Sequence, residues 1–450
     1  SWSSFEQWIG DKAGIALLKM PNQKDQIKPV LFIEFKNYDL LKKYLQENLL
    51  KDTSDNLIED QLEGFKLISF KLSQSYKALI IDNYVIISDS FDPLTLIANA
   101  KNGKIPNLIG QQNYQFATEG LSKNNLLFAF VNYQNLFESM IRNQNFNLDQ
   151  LALISNLKPF LKFISSEGYA AELNGNSLDL RQITVLKNSD EQSSFTRKDK
   201  LIGNLLDPQN SLFFLSGHNL SLEYNYFNQL FAKETNTPSL IFEGTIQNYK
   251  NQYFGSNIDI QADLLPLLQG EYAINFKSEN EWTVALNLEN INVNPAQIDK
   301  VIQALGVNSL LKSGKVQEMT LPDGTKGQEV INDEETISTR SEAFNSSNLT
   351  ILRNSINNKQ LAYAIVNQKL FIASTPEYLK SAISQSSENI ANKDLINGSD
   401  EFYKLNLTQI LSSLNLPENI TPYLLPLNLL SINRSYFEQG FSTDYKLDLN

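Results

Sequence analysis

Apolar and polar positions along the chain run through the same order twice. Gly14-Ile15-Ala16-Leu17-Leu18 and Val30-Leu31-Phe32-Ile33-Glu34-Phe35 are short runs rich in β-branched and aromatic residues, joined by a polar loop over 22–28. Runs of this kind, bounded by turn formers, predict a pair of strands. Tyr272-Ala273-Ile274-Asn275-Phe276 and Trp282-Thr283-Val284-Ala285-Leu286-Asn287-Leu288 predict a second pair. A helix follows each, over 38–47 and 295–305. Leu40, Leu41, Tyr44 and Leu45 recur at the spacing of one helical face, as do Ile298, Val301, Ile302 and Leu305.

The clearest correspondence comes next. Ala78-Leu79-Ile80-Ile81-Asp82-Asn83-Tyr84-Val85-Ile86-Ile87-Ser88 reads as strand, two-residue turn, strand, and Tyr363-Ala364-Ile365-Val366-Asn367-Gln368-Lys369-Leu370-Phe371-Ile372-Ala373 repeats it. Asp-Asn and Asn-Gln suit a type I′ turn because both residue types tolerate positive φ. Nearly every strand position is apolar, so this hairpin is expected to be central and covered on both faces. Pro93 and Pro376, each after a capping-type residue, mark a helix start. A strand running into a helix follows at 130–137 and again at 404–411. Each copy then closes with a helical stretch, 151–165 or 424–430, and a hairpin. The first closing hairpin, 168–173 with 178–185, carries Asn174-Gly175-Asn176, the strongest short hairpin signal in the chain. The second spans 436–442 and 445–449.

A repeat of this length decides the architecture before any single residue is weighed. Strand-strand-helix order with short turns favours antiparallel pairing. The expected fold is α+β: two tandem similar domains, each a curved antiparallel sheet of about five to seven strands with helices packed mainly on one face. A chain of 450 residues exceeds the roughly 250–300 at which a single core stops growing. The expected domains are 1–187, a polar linker at 188–204, and 205–450. A strand at 210–217 and a helix at 220–233 precede the second copy's Gly270, with no counterpart before Gly10. The first repeat is therefore expected to lack a strand and a helix upstream, and with them a membrane anchor.

Charge and composition narrow the function classes. The formal charge is −12, and the longest basic cluster, Arg197-Lys198-Asp199-Lys200, is interrupted, which argues against a nucleic-acid surface. Cysteine is absent, so thiolate chemistry, disulfides and Cys-based metal sites are excluded. Asn is common but dispersed, as in a protein from an AT-rich genome. His218 is the single histidine; no Gly-x-Ser-x-Gly elbow and no HExxH motif accompanies it, so a loop histidine without special role is favoured. Asp333-Glu334-Glu335, Glu59-Asp60 and Asp323-Gly324 are acidic, yet none has the ligand spacing of a calcium loop. No Gly-rich loop suited to phosphates follows a strand. The expectation is no catalytic residue, no cofactor and no metal.

Two features bear on binding. The stretch 411–430 is apolar and broken by Pro417, Pro422 and Pro426. Together with 151–164 it reads as core helices covering the sheet, with an exposed lip for a membrane or apolar partner as the sharper alternative. The copies differ most between their first and second blocks, 48–62 against the longer 308–348. Long loops on a rigid scaffold carry recognition more often than cores do. A protruding hairpin is expected within 317–348, with Pro322, Asp323 and Gly324 at its turn and in contact with a partner.

The Trp8-Ile9-Gly10-Asp11-Lys12-Ala13-Gly14-Ile15-Ala16-Leu17 opening, the order of blocks and the closing Glu167-Gly168-Tyr169-Ala170 resemble a bacterial, cyanobacterial-like envelope family. That family carries the label domain of unknown function three-three-five-two. The resemblance implies an N-terminal membrane anchor followed by a large non-cytoplasmic part, and it implies no catalytic residues. The leading expectation is a non-enzymatic, membrane-tethered binding or assembly factor on the periplasmic or thylakoid-lumenal side, with a protein partner. A carrier of a lipid, pigment or other apolar ligand is one alternative. An enzyme of unrecognised type is another, and it requires perturbed acids gathered around His218 or the acidic patches.

Overall fold

A computed structural model describes residues 6–20, 27–49, 58–71, 75–133, 164–187, 206, 208, 211–232, 237–278, 280–289, 291–311, 315–320, 326–331, 337–355, 357–387, 399–414, 424, 426–437 and 439–449. It divides into two compact units, Ser1–Glu119 with Phe130–Glu167, and Gly120–Ala129 with Gly168–Asn450.

The first unit is built on strands β1 (Ile9–Lys19), β2 (Ile27–Phe35), β3 (Ile58–Leu62), β4 (Phe65–Lys71), β5 (Ser75–Ile81) and β6 (Tyr84–Ser88). They form an antiparallel sheet in the order β1-β2-β6-β5-β4-β3. Helix α1 (Tyr38–Tyr44) starts where the Asn37 side chain accepts from the backbone N–H of Asp39 and Leu40, a sound N-cap. It buries Leu41 against Trp8, Ile33, Phe35 and Ile68 on one face. Helix α2 (Phe91–Lys101) buries Leu94 and Ala98 against Val30, Leu67, Leu79 and Ile86 on the other. Helix α3 (Gln112–Thr118) follows.

The larger sheet draws on β7 (Leu127–Asn132), β8 (Ile164–Asn174), β9 (Ser177–Leu186), β10 (Phe213–His218), β11 (Glu271–Ser278) and β12 (Glu281–Asn287). After the hairpin β13 (Lys315–Thr320) and β14 (Lys326–Ile331) come β15 (Ile337–Phe344), β16 (Ser347–Asn354), β17 (Gln360–Val366), β18 (Lys369–Ala373), β19 (Glu401–Asn406), β20 (Leu427–Phe437) and β21 (Gly440–Leu449). Thirteen of these strands lie in the order β15-β16-β17-β18-β12-β11-β10-β19-β20-β21-β9-β8-β7, while β13 and β14 pair only with each other. Helices α4 (Leu220–Ala232) and α5 (Thr237–Phe254) lie between β10 and β11 in the chain, and α6 (Pro295–Leu311) follows β12. Helix α7 (Pro376–Ser387) follows β18, and α8 (Leu407–Ser413) follows β19.

The fold is thus α+β with antiparallel sheets, as the sequence predicts. Helices mainly on one face is corrected: both faces are covered. In the central hairpin, Leu361, Tyr363, Leu370 and Ile372 join Ile298, Val301 and Ile302 of α6. Ala362, Ala364, Phe371 and Ala373 join Leu379, Ala382 and Ile383 of α7. Successive strand residues point to opposite faces, so a run apolar at every position requires a cover on each. The turn of this hairpin has positive φ at both Asn367 and Gln368, as a type I′ turn demands; in the first hairpin Asp82 has it and Asn83 does not.

The strand order β1-β2-β6-β5-β4-β3 recurs as β11-β12-β18-β17-β16-β15. Pair registers carry it to single residues. Ile15 opposes Leu31, which opposes Ile87; Ile274 opposes Val284, which opposes Ile372. One glycine device is also common to both. A Cβ on Gly10 would lie 2.6 Å from the Glu34 side chain, and one on Gly270 would lie 2.1 Å from the Asn287 carbonyl oxygen. Both glycines allow the entering chain to press against the end of the next strand.

One further expectation changes. The helix expected over 424–430 gives way to strand β20 from Leu427, because its leucines pair with β19: Leu429 opposes Asn406 and Leu430 opposes Leu405. β9 continues the larger sheet by pairing with β21 along its length. The expected linker 188–204 and most of the apolar stretches 151–164 and 411–430 lie outside the described residues. Among the described residues no helix is long and apolar enough to cross a membrane.

Candidate functional site

The densest buried polar chemistry among the described residues lies in the second unit, where α4 meets β19, β20 and β21. Period-two alternation puts Glu401 and Tyr403 on one face of β19. Arg434 and Tyr436 do the same on β20, since Glu401 opposes Arg434 and Tyr403 opposes Ile432. Phe441 and Thr443 of β21 oppose Tyr436 and Arg434 in turn.

These side chains converge on one carboxylate. Tyr436 donates to Glu401 Oε1 at 2.6 Å, and Tyr403 donates to Oε2 at 2.9 Å. Arg434 Nη1 donates to the same Oε2 at 3.1 Å, and the Glu401 side chain is only 2% exposed. The Arg434 guanidinium also sits 5.1 Å from the centre of the Phe441 ring, and its Nε donates to Thr443 Oγ1 at 3.4 Å. Asp400 steadies the strand end by accepting from the Tyr436 N–H at 2.8 Å.

Glu223, in the first turn of α4, completes the cluster. Its Oε1 is buried without a hydrogen bond to any described donor. Burial, then the charge of Glu401 and a hydrogen bond to it, push its pKa up to about 9, with Arg434 pulling the other way. Protonation supplies what the position lacks, an O–H directed at a carboxylate. Burial first, and Glu401 next, push the Tyr436 and Tyr403 hydroxyls far above the ordinary tyrosine value. Burial works to lower the Arg434 pKa, but Glu401 and the two tyrosines outweigh it and raise it. The cluster thus sets Glu223, whose raised pKa favours its protonated form, beside the Glu401 side chain that accepts from Tyr403, Tyr436 and Arg434.

The residues singled out by sequence fall elsewhere. Pro322, Asp323 and Gly324 lie outside the described residues, but their flanks are clear: β13 and β14 pair from Lys315–Ile331 to Thr320–Lys326. The expected strand pairing exists, and 321–325, between the two strands, lie outside the described residues. His218 ends β10, half-buried opposite the buried Glu271. Ser216 opposes Phe402, so His218 shares a face with Phe402 while Glu401 points to the other. Glu59 pairs with Lys42 at 2.5 Å and Lys66 at 3.6 Å, and the hydrogen bond from Lys42 lowers its pKa. Asp333, Glu334 and Glu335 lie outside the described residues. Among the described residues no three acids or histidines are placed to hold a metal ion. A cleft of about 370 Å³, open solvent included, lies against α7, and its lining is largely polar: Asn275, Lys277, Glu281, Thr283, Ser381 and Gln385.

Sequence reading missed the Glu401 cluster. Its signal was two same-face pairs, Glu401-x-Tyr403 and Arg434-x-Tyr436, each a charge and a tyrosine two apart on a strand.

The sequence profile of one family, described as a protein of unknown function (DUF3352), matches residues 4–345. The chain belongs to that family. The match takes in the whole smaller sheet and reaches the end of β15 in the larger one. No curated protein and no solved structure matches this DUF3352 member.

Proposed function

We propose that this DUF3352 protein is a non-enzymatic, membrane-tethered binding or assembly factor on the periplasmic or thylakoid-lumenal side, built as two tandem copies of one sheet. The β13–β14 hairpin carries the binding reading. It pairs with no other strand among the described residues, it joins α6 to β15, and its counterpart in the first copy is the shorter stretch between Leu49 and Ile58. An insertion on an otherwise repeated scaffold is where recognition is added without disturbing the core.

The duplication reading rests on the matching strand orders and on the β9–β21 junction. Ser177, first in β9, opposes Asp448, ninth in β21; Gly440, first in β21, opposes Val185, ninth in β9. The fifth residues, Arg181 and Asp444, oppose each other. The register is unchanged when the strands are exchanged, as at the two-fold axis of a symmetric pair. Identical copies would set like residues face to face at that axis. Here Arg181 Nε and Nη2 bond Asp444 at 2.5 and 2.9 Å instead.

A buried acid of displaced pKa also suits proton-transfer enzymes. Here Glu401 spends both oxygens on Tyr403, Tyr436 and Arg434, and Glu223 faces Glu401 rather than an open cleft, which supports a structural role.

The test is deletion of Thr320–Lys326. Because the hairpin pairs with no other strand among the described residues, the melting temperature is expected to stay within about 3 °C of the parent, a change of roughly 1 kcal/mol or less. Recovery of the protein partner in affinity purification from native membranes is expected to fall at least about fivefold, a loss of roughly 1 kcal/mol. Undiminished recovery would remove the hairpin from the interface.

A further inference from the structure

Among the described residues, the first sheet leaves open an edge that the second sheet closes. In the larger sheet β11 pairs with β12 on one side and β10 on the other. Its counterpart β1 pairs with β2 and is terminal. Burial follows this difference. Tyr272 and Ala273 are buried, whereas their counterparts Ala13 and Gly14 are exposed. Ile274, Phe276 and Val284 are half-buried, and Val284 packs on the core that also takes Leu215 of β10, Leu220 of α4 and Leu264. The matching residues of the first sheet are Ile15, 75% exposed, Leu17, 61% exposed, and Leu31, 37% exposed.

The middle of this edge lacks the usual defences. Natural edge strands carry charge, proline or bulges that discourage pairing. β1 has Asp11, Lys12 and a register shift between Ile9 and Ala13, but Ala13-Gly14-Ile15-Ala16-Leu17-Leu18 offers six uncharged residues in a row. The edges β3 and β15 are terminal in both sheets, so the contrast is confined to the side that β10 occupies.

We propose that the open edge of β1, with the apolar patch Ile15, Leu17 and Leu31, is the docking site for a strand followed by an apolar helix. The occupant belongs to the protein's own full-length chain, N-terminal to β1, as β10 and α4 are N-terminal to β11. The strand adds antiparallel to β1 by main-chain hydrogen bonds, as in strand addition generally, and the helix covers the patch. This rests on the duplication reading and is independent of the hairpin's role.

The experiment uses the full-length protein with a photo-crosslinking benzoylphenylalanine at position 15 and, separately, at position 17. Both side chains are exposed, so neither variant threatens the fold. The expected product is an intramolecular crosslink to a peptide N-terminal to residue 1, with backbone amides 13–17 exchanging at least about tenfold more slowly than in the chain 1–450 alone. A crosslink to a second copy or to another protein overturns the assignment, as does an unprotected β1 with no crosslink. Either failure leaves the β9–β21 register, measured separately, to decide the duplication.

Discussion

Replacing Arg434 with methionine is expected to destabilise the second unit by about 2–3 kcal/mol, read as a lowered midpoint of urea unfolding. Breaking a buried ion pair by removing one partner typically costs about 3–5 kcal/mol, because an uncompensated charge stays behind. Arg434 is 31% exposed, so water screens part of the loss and the lower end applies. Glu401 would remain 2% exposed beside Glu223 with two neutral donors, Tyr403 and Tyr436, in place of three groups including a cation. Adding Glu401→Gln removes the stranded charge, so the double variant is expected to recover more than half of the loss. A single-variant cost below about 0.5 kcal/mol would mean that the charges are not desolvated as described.

Glu223→Gln is expected to stabilise the protein at neutral pH, an unusual sign for a buried substitution. The folded-state pKa is raised, from 4.5 to about 9. A raised pKa means the native state holds its proton more tightly than the unfolded chain. That contribution is fully present below about pH 4.5 and is lost progressively as pH rises towards 9. At pH 7 the lost stability amounts to at most about 3 kcal/mol at 1.36 kcal/mol per unit. Glutamine keeps the shape and the donor toward Glu401 while removing the titration. The variant and parent should have similar stability near pH 4 and diverge steadily to about pH 9, the variant being the more stable. Parallel stability curves across that range would contradict the assignment of Glu223 as the displaced acid.

What was legible in the sequence, and what was not, follows from how local each signal is. The central hairpins were readable because eight apolar positions in each surround a short polar turn, and strands apolar at successive positions need cover on both faces. The antiparallel α+β class followed from the same short turns. The closing strand β20 was misread at its start because Leu424 to Leu430 is rich in a strong helix former; pairing with β19 overrides that preference. Cover on both faces of the central hairpin followed from its non-alternating strands, but the placing of helices mainly on one face of the sheet did not carry that through. The β9–β21 junction was not readable at all, since pairing between strands 263 residues apart leaves no local trace beyond one Arg and one Asp. The Glu401 cluster lay between these cases. Each strand displayed its charged and aromatic residues two apart, but only the register of three strands and the docking of α4 bring five side chains to one point.

The chain contains no cysteine, which makes the junction open to a clean measurement. Cysteines at Arg181 and Asp444 stand directly opposite each other in the exchange-symmetric register, within the Cα separation of roughly 4.4–6.8 Å that a disulfide requires. Under mild oxidation the Arg181→Cys/Asp444→Cys variant is expected to form an intramolecular disulfide nearly completely, while Arg181→Cys/Lys446→Cys, two residues out of register, stays reduced. A disulfide in the second variant and none in the first would contradict the paired copies on which this account of the protein rests.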